Sequence, residues 1–169
     1  MPASKGDVIP NTTFSYIPWS PELESGKACG VPTTFQSHDR WKGKKVVIVS
    51  IPGAFTPVCH VHHIPGFMAK QKELKSKGVD EIVVIAANDA FVMSAWGVNQ
   101  GGKDDLVFAS DVDAKFSQGL GATLDLSAKG MGTRTARYAL IVDDLKVVDL
   151  SIDEGELSQS SAEAVLSKL

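Results

Sequence analysis

Cysteine is scarce in this sequence, which has only Cys29 and Cys59 among its 169 residues. Two cysteines cannot form the disulfide framework of a small secreted domain, and a chain of this length can bury a sizeable core without one. Long apolar runs are also absent, and the first residues lack the apolar stretch of a secretion signal. We therefore expect no membrane span and no export, and the length predicts one domain over residues 1–169.

Charge of one sign is not concentrated anywhere in the chain. The formal net charge is −3, and no cluster of lysine and arginine is present. Such a balance provides no general attraction to nucleic acid or to an anionic membrane surface. We therefore expect no nucleic-acid partner. An apolar content of 43% and a charged content of 22% are ordinary for a globular protein.

Alternating strand and helix patterns predict an α/β fold. Unbroken β-branched runs at 45–51 and 81–87 are typical of strands buried on both faces of a sheet. The predicted strands are 45–51, 81–87, 106–109, 137–142 and 146–151. The predicted helices are 58–77, 88 onward, 114–120 and 160 onward. Residues 10–35 are expected to form short strands and turns, and residues 121–134 an irregular loop. This order indicates a mixed central sheet flanked by helices, as in a thioredoxin-like fold, although other three-layer α/β folds fit the same pattern.

Capping residues predict where the helices begin and end. Asn88 is expected to cap the helix after the second buried strand, and Ser160 begins a capping-box pattern that ends at Glu163. Gly78 suits the position just after the first long helix. Pro65 lies inside that helix, so we expect a kink there.

Cys59 lies where a helix N-terminus favours a thiolate. Thr56 is a candidate N-cap and Pro57 suits the first helical position, so Cys59 falls at the third, near unpaired backbone N–H groups. An ordinary thiol is only a few per cent ionised at neutral pH, and the helix dipole contributes only about 0.3–1 kcal/mol. A cationic partner is therefore needed. Arg137 is preferred because it adjoins an apolar strand, but the spacing leaves Arg134 open as well.

The segment Pro52-x-x-x-Thr56-x-x-Cys59 resembles the signature of the peroxiredoxins. The full stretch Pro-Gly-Ala-Phe-Thr-Pro-Val-Cys, followed by His-Ile-Pro-Gly-Phe at 63–67, is similar to the peroxiredoxin-5 class, which includes plant type II and fungal peroxisomal and allergen enzymes. Further similar stretches are 77–80, 88–92, 95–97 and 137–140. The resemblance covers the chain from about residue 5 onward and is strongest over 43–97.

The resemblance implies a thioredoxin-like peroxidase that reduces hydrogen peroxide and alkyl hydroperoxides without a cofactor, in antioxidant defence. It implies that Cys59 is the peroxidatic thiolate, which the peroxide oxidises to a sulfenic acid. Thr56 would form a hydrogen bond with the peroxide, and Pro52 would shield the site from water. Arg137 would stabilise the thiolate and the transition state, so the resemblance selects it over the second arginine.

A second thiol is needed to complete such a cycle. The resemblance implies that Cys29 resolves the sulfenic acid by forming a disulfide, within one chain or between two subunits. The residues alone leave open that Cys29 is an inert buried thiol in a turn. No Cys-x-x-Cys is present, so the electrons are expected from thioredoxin, glutaredoxin or glutathione. The class also implies a homodimer, with a face near Phe55, Trp96 and Phe116.

The last three residues, Ser167-Lys168-Leu169, match a peroxisomal address that an import receptor reads. We therefore expect the protein in peroxisomes, and residence in the cytoplasm as well fits equally. The alternative is a helix that ends in a lysine because a cation is favourable there.

Three other functions fit parts of the sequence. Cys59 with His60, His62 and His63 has the residue types of a metal cluster, but no zinc motif accompanies them, and the histidines are otherwise expected on the surface of the helix. A cysteine hydrolase needs a histidine base, and only His38 lies outside this segment. An interaction or chaperone-like role is the non-enzymatic alternative.

Overall fold

The computed structural model describes all 169 residues and has a seven-stranded mixed sheet at its centre. The strands are β1 Thr13–Tyr16, β2 Thr33–Gln36, β3 Lys45–Ser50, β4 Glu81–Ala86, β5 Val107–Asp111, β6 Thr123–Leu126, β7 Gly132–Thr135, β8 Tyr138–Asp143 and β9 Lys146–Ile152. The helices are α1 Ser37–Trp41, α2 Ile64–Ser76, α3 Ala90–Gln100, α4 Lys115–Gly119 and α5 Ala162–Leu166. None of them combines the length and apolar character needed to cross a bilayer.

The order of strands in the central sheet is β2-β1-β5-β4-β3-β8-β9. Strands β3, β4 and β5 run parallel, while β1 and β8 border them in antiparallel orientation. The hairpin of β8 and β9 forms one edge, as the sequence predicted, and β1 pairs with β2 at the other. The predicted α/β class and mixed sheet are confirmed.

Both faces of the central sheet are buried. Side chains alternate along β3, so Val47 and Val49 enter one apolar cluster while Val46 and Ile48 enter the other. The first cluster includes residues of α2 and α3, and the second includes aromatic residues of β1, α1 and α4. Burial on both faces explains why the strands read as unbroken apolar runs rather than as alternating ones.

The predicted helix starts are wrong by one residue at two places. The N-cap of α3 is Asp89 rather than Asn88, and the Asp89 carboxylate accepts hydrogen bonds from two backbone N–H groups of the first turn. The N-cap of α5 is Ser161 rather than Ser160. Asn88 and Ser160 instead contact the candidate site. Gly78 follows the end of α2 with a φ of +90°, as expected of a C′ glycine.

Three elements were not predicted from the sequence. Residues 121–134, expected to be an irregular loop, contain the antiparallel hairpin of β6 and β7. The short helix α1 was also missed. All residues of β6 and β7 except Thr135 are exposed or half-buried, so burial imposed no apolar pattern by which the hairpin could be recognised.

The kink expected at Pro65 stays a prediction, but a π-helical turn over Cys59–His63 lies directly before α2, whose first turn contains Pro65. The backbone N–H of Ile64 donates to the carbonyl of Cys59, five residues earlier. In the same pattern the His60 carbonyl would accept from Pro65, but proline has no N–H. The carbonyl of His60 accepts a hydrogen bond from Gln100 Nε2 of α3 instead, at 3.2 Å. The last residue of α3 therefore supports the turn that carries Cys59.

Candidate active site

Cys59 is fully buried at the start of the helical segment that leads into α2. The helix begins at Pro57, and the backbone N–H of His60 donates to the carbonyl of Thr56 at 2.8 Å. Cys59 is therefore the third helical residue, as predicted. It belongs to the apolar cluster that covers one face of the sheet. An ionised sulfur in such surroundings requires a partner that compensates its charge.

The predicted partner, Arg137, contacts this sulfur: its Nη1 lies 3.3 Å from Cys59 Sγ. The antiparallel register pairs Ser50 at the end of β3 with Tyr138 at the start of β8. Arg137 precedes β8 and thus lies beside the segment that follows β3. Two hydrogen bonds fix this junction: Ser50 Oγ donates to the Ala136 carbonyl at 2.8 Å, and Thr135 Oγ1 donates to the Ile51 carbonyl at 2.7 Å.

Arg134, the alternative considered from the sequence, has a different role. It lies in β7, and its Nε donates to the carbonyl of Met131 in the same hairpin at 2.8 Å. Arg137 uses only Nη1 for its contacts with protein atoms, and its side chain reaches a cleft at the surface. Its Nε and Nη2 donors have no protein partner, so they are available to a molecule in the cleft.

Thr56 precedes the helix, but its side chain does not cap it. Its Oγ1 donates to the carbonyl of Gly53 at 2.7 Å rather than accepting from the first turn. The hydroxyl therefore has lone pairs left to accept a hydrogen bond, and its proton is already used. Phe55 has a φ of +62°, a conformation that is rare outside glycine. The tight turn from Gly53 to Thr56 depends on it.

Asn88 holds this turn from the carboxyl end of β4. Its Oδ1 accepts a hydrogen bond from the backbone N–H of Ala54 at 2.9 Å. The sequence interpretation assigned Asn88 to a helix cap and missed this contact. Its position directly after a buried parallel strand was the available signal, because such positions meet at one edge of the sheet.

A cleft of about 1020 Å³ opens beside the start of the helix that carries the buried Cys59. Pro52, Thr56 and Arg137 line it, and hydrophobic side chains such as Leu124 and Met131 form part of its wall. The unpredicted hairpin of β6 and β7 therefore supplies a side of the candidate site. The structure brings together four of the five predicted site residues, namely Pro52, Thr56, Cys59 and Arg137.

His63 is buried, with only 1% of its surface exposed, and not on the helix surface as expected. Its Nε2 lies 2.9 Å from the Ser160 carbonyl, and its Nδ1 lies 3.4 Å from Arg137 Nη1. Burial lowers the pKa of His63 to about 4, and the charge of Arg137 acts in the same direction, while the Ser160 carbonyl and Asp153 oppose it. The ring is therefore neutral at pH 7.

The histidines near Cys59 do not converge on a common point. The Nδ1 of His60 accepts a hydrogen bond from Trp96 Nε1 at 3.0 Å, whereas His62 is exposed. Residues of the types that ligate metals form no group of three or more with a suitable geometry. His38, considered as the base of a hydrolase, lies on α1, where its Nε2 contacts the carbonyl of Ile9 at 2.7 Å.

Cys29 lies apart from this constellation. It is an exposed free thiol in the segment between β1 and β2, beside residues of α3. The alternative that Cys29 is buried is therefore wrong. The expected dimer face is also corrected in part, because Trp96 and Phe116 are fully buried within the chain and only Phe55 is exposed.

Comparison with known proteins finds relatives that match almost the whole length of the chain. The family model described as Redoxin matches residues 4–166. A Malassezia furfur protein named as a peroxiredoxin is 66% identical over 97% of this chain and 99% of its own length. A Lipomyces kononenkoae protein named as a peroxisomal peroxiredoxin is 45% identical over 92% of this chain and 94% of its own length.

A solved structure of similar fold is reduced Prx3 of Vibrio vulnificus in complex with hydrogen peroxide. The TM-score is 0.86 and the sequence identity 34%, over 99% of both chains. This likeness confirms the predicted thioredoxin-like fold, which the order of strands and helices had left as one of several.

The buried neutral His63 predicts a pH-dependent stability. In the unfolded chain its pKa has the ordinary value of 6.5, whereas in the folded chain it is about 4. As the pH falls from about 6.5 to 4, the unfolded state takes up a proton that the folded state does not, so the free energy of unfolding falls by about 3 kcal/mol. Below pH 4 this contribution no longer changes.

Denaturant unfolding of the wild type and of His63→Gln between pH 4 and 7.5 measures this effect. The variant lacks the titrating ring, so the wild type should lose more stability than the variant on acidification. A constant difference between the two proteins across this range would contradict a buried neutral His63.

Proposed function

The chain belongs to the Redoxin family and within it to the peroxiredoxins, which makes it a thiol peroxidase, and we propose that Cys59 is the residue that reduces the peroxide. The observation that carries the proposal is the contact of 3.3 Å between Cys59 Sγ and Arg137 Nη1. It joins a nucleophilic atom to a permanent positive charge beside an open cleft.

The reaction transfers two electrons from sulfur to the peroxide. The Cys59 thiolate attacks one peroxide oxygen, an S–O bond forms as the O–O bond breaks, and the sulfur becomes a sulfenic acid. The departing oxygen carries the electron pair of the broken bond and leaves as water or an alcohol after it takes up a proton. Negative charge therefore moves from the sulfur to the departing oxygen.

Arg137 is suited to stabilise negative charge first on the sulfur and then on the departing oxygen. Its Nη1 contacts the sulfur, while Nε and Nη2 remain available for the peroxide oxygens in the cleft. Thr56 has lone pairs free to accept a hydrogen bond from the O–H of the attacked hydroperoxide, because its own proton is donated to the Gly53 carbonyl. Pro52, which is half-buried and lines the cleft, offers no N–H that would attract water.

We assign both hydrogen peroxide and alkyl hydroperoxides as substrates. The cleft of about 1020 Å³ is larger than hydrogen peroxide requires, and Leu124 and Met131 provide apolar contacts for an alkyl group. The similar Vibrio vulnificus protein was solved with hydrogen peroxide bound.

Cys29 is our candidate for the thiol that resolves the sulfenic acid. Its sulfur would attack the Cys59 sulfur, forming a disulfide and releasing water, and thioredoxin, glutaredoxin or glutathione would then reduce that disulfide. Both thiols are free in this structure, with Cys29 exposed and Cys59 buried. The turn over Cys59–His63 must therefore open before a disulfide can form, whether within one chain or across a homodimer.

The peroxisome is the proposed location, together with the cytoplasm. The name of the Lipomyces kononenkoae relative supports it, and the sequence Ser167-Lys168-Leu169 supplies the address for an import receptor.

Replacing Cys59 and Arg137 tests the proposed chemistry. Cys59→Ser should abolish peroxide consumption while circular dichroism shows an intact fold. Arg137→Lys should slow the second-order reaction of the reduced protein with hydrogen peroxide by about 100-fold, because an ammonium cannot contact the sulfur and the departing oxygen together. Stopped-flow kinetics measures this rate.

Arg134→Lys is the matched control, because it makes the same exchange in the neighbouring hairpin. It should leave the rate within about twofold of the wild type, because Arg134 donates to the Met131 carbonyl and not to Cys59. An equal loss in both variants would show that general positive charge, and not the Arg137 contact, drives the reaction.

Cys29→Ser tests the resolving step separately. The variant should react with one equivalent of peroxide at the wild-type rate, yet it should fail to cycle with thioredoxin, since no disulfide forms. Non-reducing electrophoresis of the oxidised wild type should show whether the disulfide joins two chains. Full cycling of Cys29→Ser with thioredoxin would exclude Cys29 as the resolver.

The targeting proposal is tested by the location of a protein that carries a fluorescent domain at its N-terminus. The fusion should be found in peroxisomes, and replacement of Leu169 by Asp should move it to the cytoplasm. If this variant is still found in peroxisomes, Ser167-Lys168-Leu169 is not the targeting signal.

A further inference from the structure

His63 is a buried titratable side chain in contact with Arg137, and the proposed reaction assigns no part to it. We propose that His63 is a positioning residue, which orients the Arg137 guanidinium toward Cys59 by accepting a hydrogen bond from Nη1. This inference rests on the proposed function of Arg137. It adds that the arginine is held in place by a chain of polar contacts reaching into the segment before α5.

The hydrogen-bond partners of the ring settle its tautomer. A carbonyl oxygen only accepts hydrogen bonds, so the Nε2 that lies 2.9 Å from the Ser160 carbonyl carries the proton. Nδ1 is then an acceptor, and it lies 3.4 Å from Arg137 Nη1. The guanidinium only donates. Donor and acceptor therefore match at both ends of the ring.

The single nitrogen Nη1 is shared between two acceptors. It lies 3.3 Å from Cys59 Sγ and 3.4 Å from His63 Nδ1, and it has two N–H bonds in one plane. Binding both acceptors fixes the orientation of that plane. The remaining donors of Arg137 are thereby directed to the cleft rather than left to rotate.

The far side of the ring is anchored by Ser160 and Asp153. Ser160 Oγ donates to Asp153 Oδ2 at 2.7 Å, and Ser160 Oγ also lies 3.3 Å from His63 Nε2. Burial alone would raise the pKa of Asp153, but hydrogen bonds from Ser160 Oγ and from three backbone N–H groups outweigh it and lower that pKa. The carboxylate is therefore a fixed anionic end to the chain of contacts.

The same segment also holds the backbone of Arg137. The N–H of Asp153 donates to the carbonyl of Arg137 at 2.9 Å. The residues 153–160 thus constrain Arg137 twice, directly through its main chain and through His63 at the end of its side chain. A ring that merely filled space would need neither of its nitrogen contacts, and an aromatic hydrocarbon would satisfy the packing against Phe67.

Two replacements of His63 separate its two nitrogen atoms. Asn places its amide oxygen near the position of Nδ1 and keeps an acceptor for Arg137, whereas Gln keeps a donor near Nε2 and loses that acceptor. We expect His63→Gln to slow the reaction with hydrogen peroxide by about 10-fold, as expected when a catalytic group is misplaced. His63→Asn should react faster than His63→Gln, and an Asn variant as slow as the Gln variant would overturn the proposal.

A double-mutant cycle with Arg137→Lys decides whether His63 acts through Arg137. In the Arg137→Lys background, His63→Gln should change the rate by less than about twofold, because the group that it positions is gone. Equal fold-changes in both backgrounds would overturn the proposal, since a merely structural residue contributes independently. The rates are measured by stopped flow on reduced protein, with unfolding curves to confirm that each variant is folded.

If His63→Gln does not fold, Ser160→Ala provides a second test of the positioning role of His63. It removes the hydroxyl between His63 and Asp153 but keeps the Ser160 carbonyl that binds Nε2. It should slow the reaction by a smaller factor than His63→Gln and lose this effect in the Arg137→Lys background. An undiminished effect in that background would overturn the proposal. If Arg137→Lys alone leaves the rate unchanged, the proposed function of Arg137 fails instead.

Discussion

The antiparallel pairing of β8 with β3 is the interaction on which the candidate site depends. The register that sets Ser50 opposite Tyr138 places Arg137 beside the segment that leads from β3 into the helix of Cys59. A shift of one residue would turn Arg137 to the opposite face of the sheet, because side chains alternate along a strand. Two side-chain hydrogen bonds, from Ser50 Oγ and Thr135 Oγ1, tie the two segments together at this point.

Around this pairing the protein holds a buried cysteine inside an apolar cluster, with a charged hydrogen-bond donor beside it. Cys59 is surrounded by apolar side chains and has Arg137 at 3.3 Å. The helical turn that carries it is irregular because Pro65 offers no N–H, and Gln100 compensates for the missing donor. π-helical turns are rare and occur frequently at functional sites. Such a turn is compatible with a cysteine that must become accessible in a later step.

Long-range hydrogen bonds also determine which polar residues surround the site. Asn88 holds the backbone at Ala54, and Ser160 links His63 to Asp153. From the sequence both residues looked like helix caps, since Asn and Ser are favoured there and each is followed by a helix. The neighbouring Asp89 and Ser161 perform that function equally well. Local propensity placed the caps within one residue, but only long-range contacts decided which of two adjacent polar residues faced the site.

By itself the sequence determined the buried strands, the helix that starts two residues before Cys59, and the resemblance carried by Pro52, Thr56 and Cys59, because each depends on residues close together in the chain. It could not decide between Arg134 and Arg137 on spacing, and it placed His63 on the surface. Those outcomes depend on strand register and on the return of the segment 153–160 to the start of α2, which join residues more than 70 positions apart. Contacts at such separation leave no periodic pattern in the chain, so only the tertiary structure shows that Arg137 lies against Cys59 and that His63 contacts both Arg137 and Ser160.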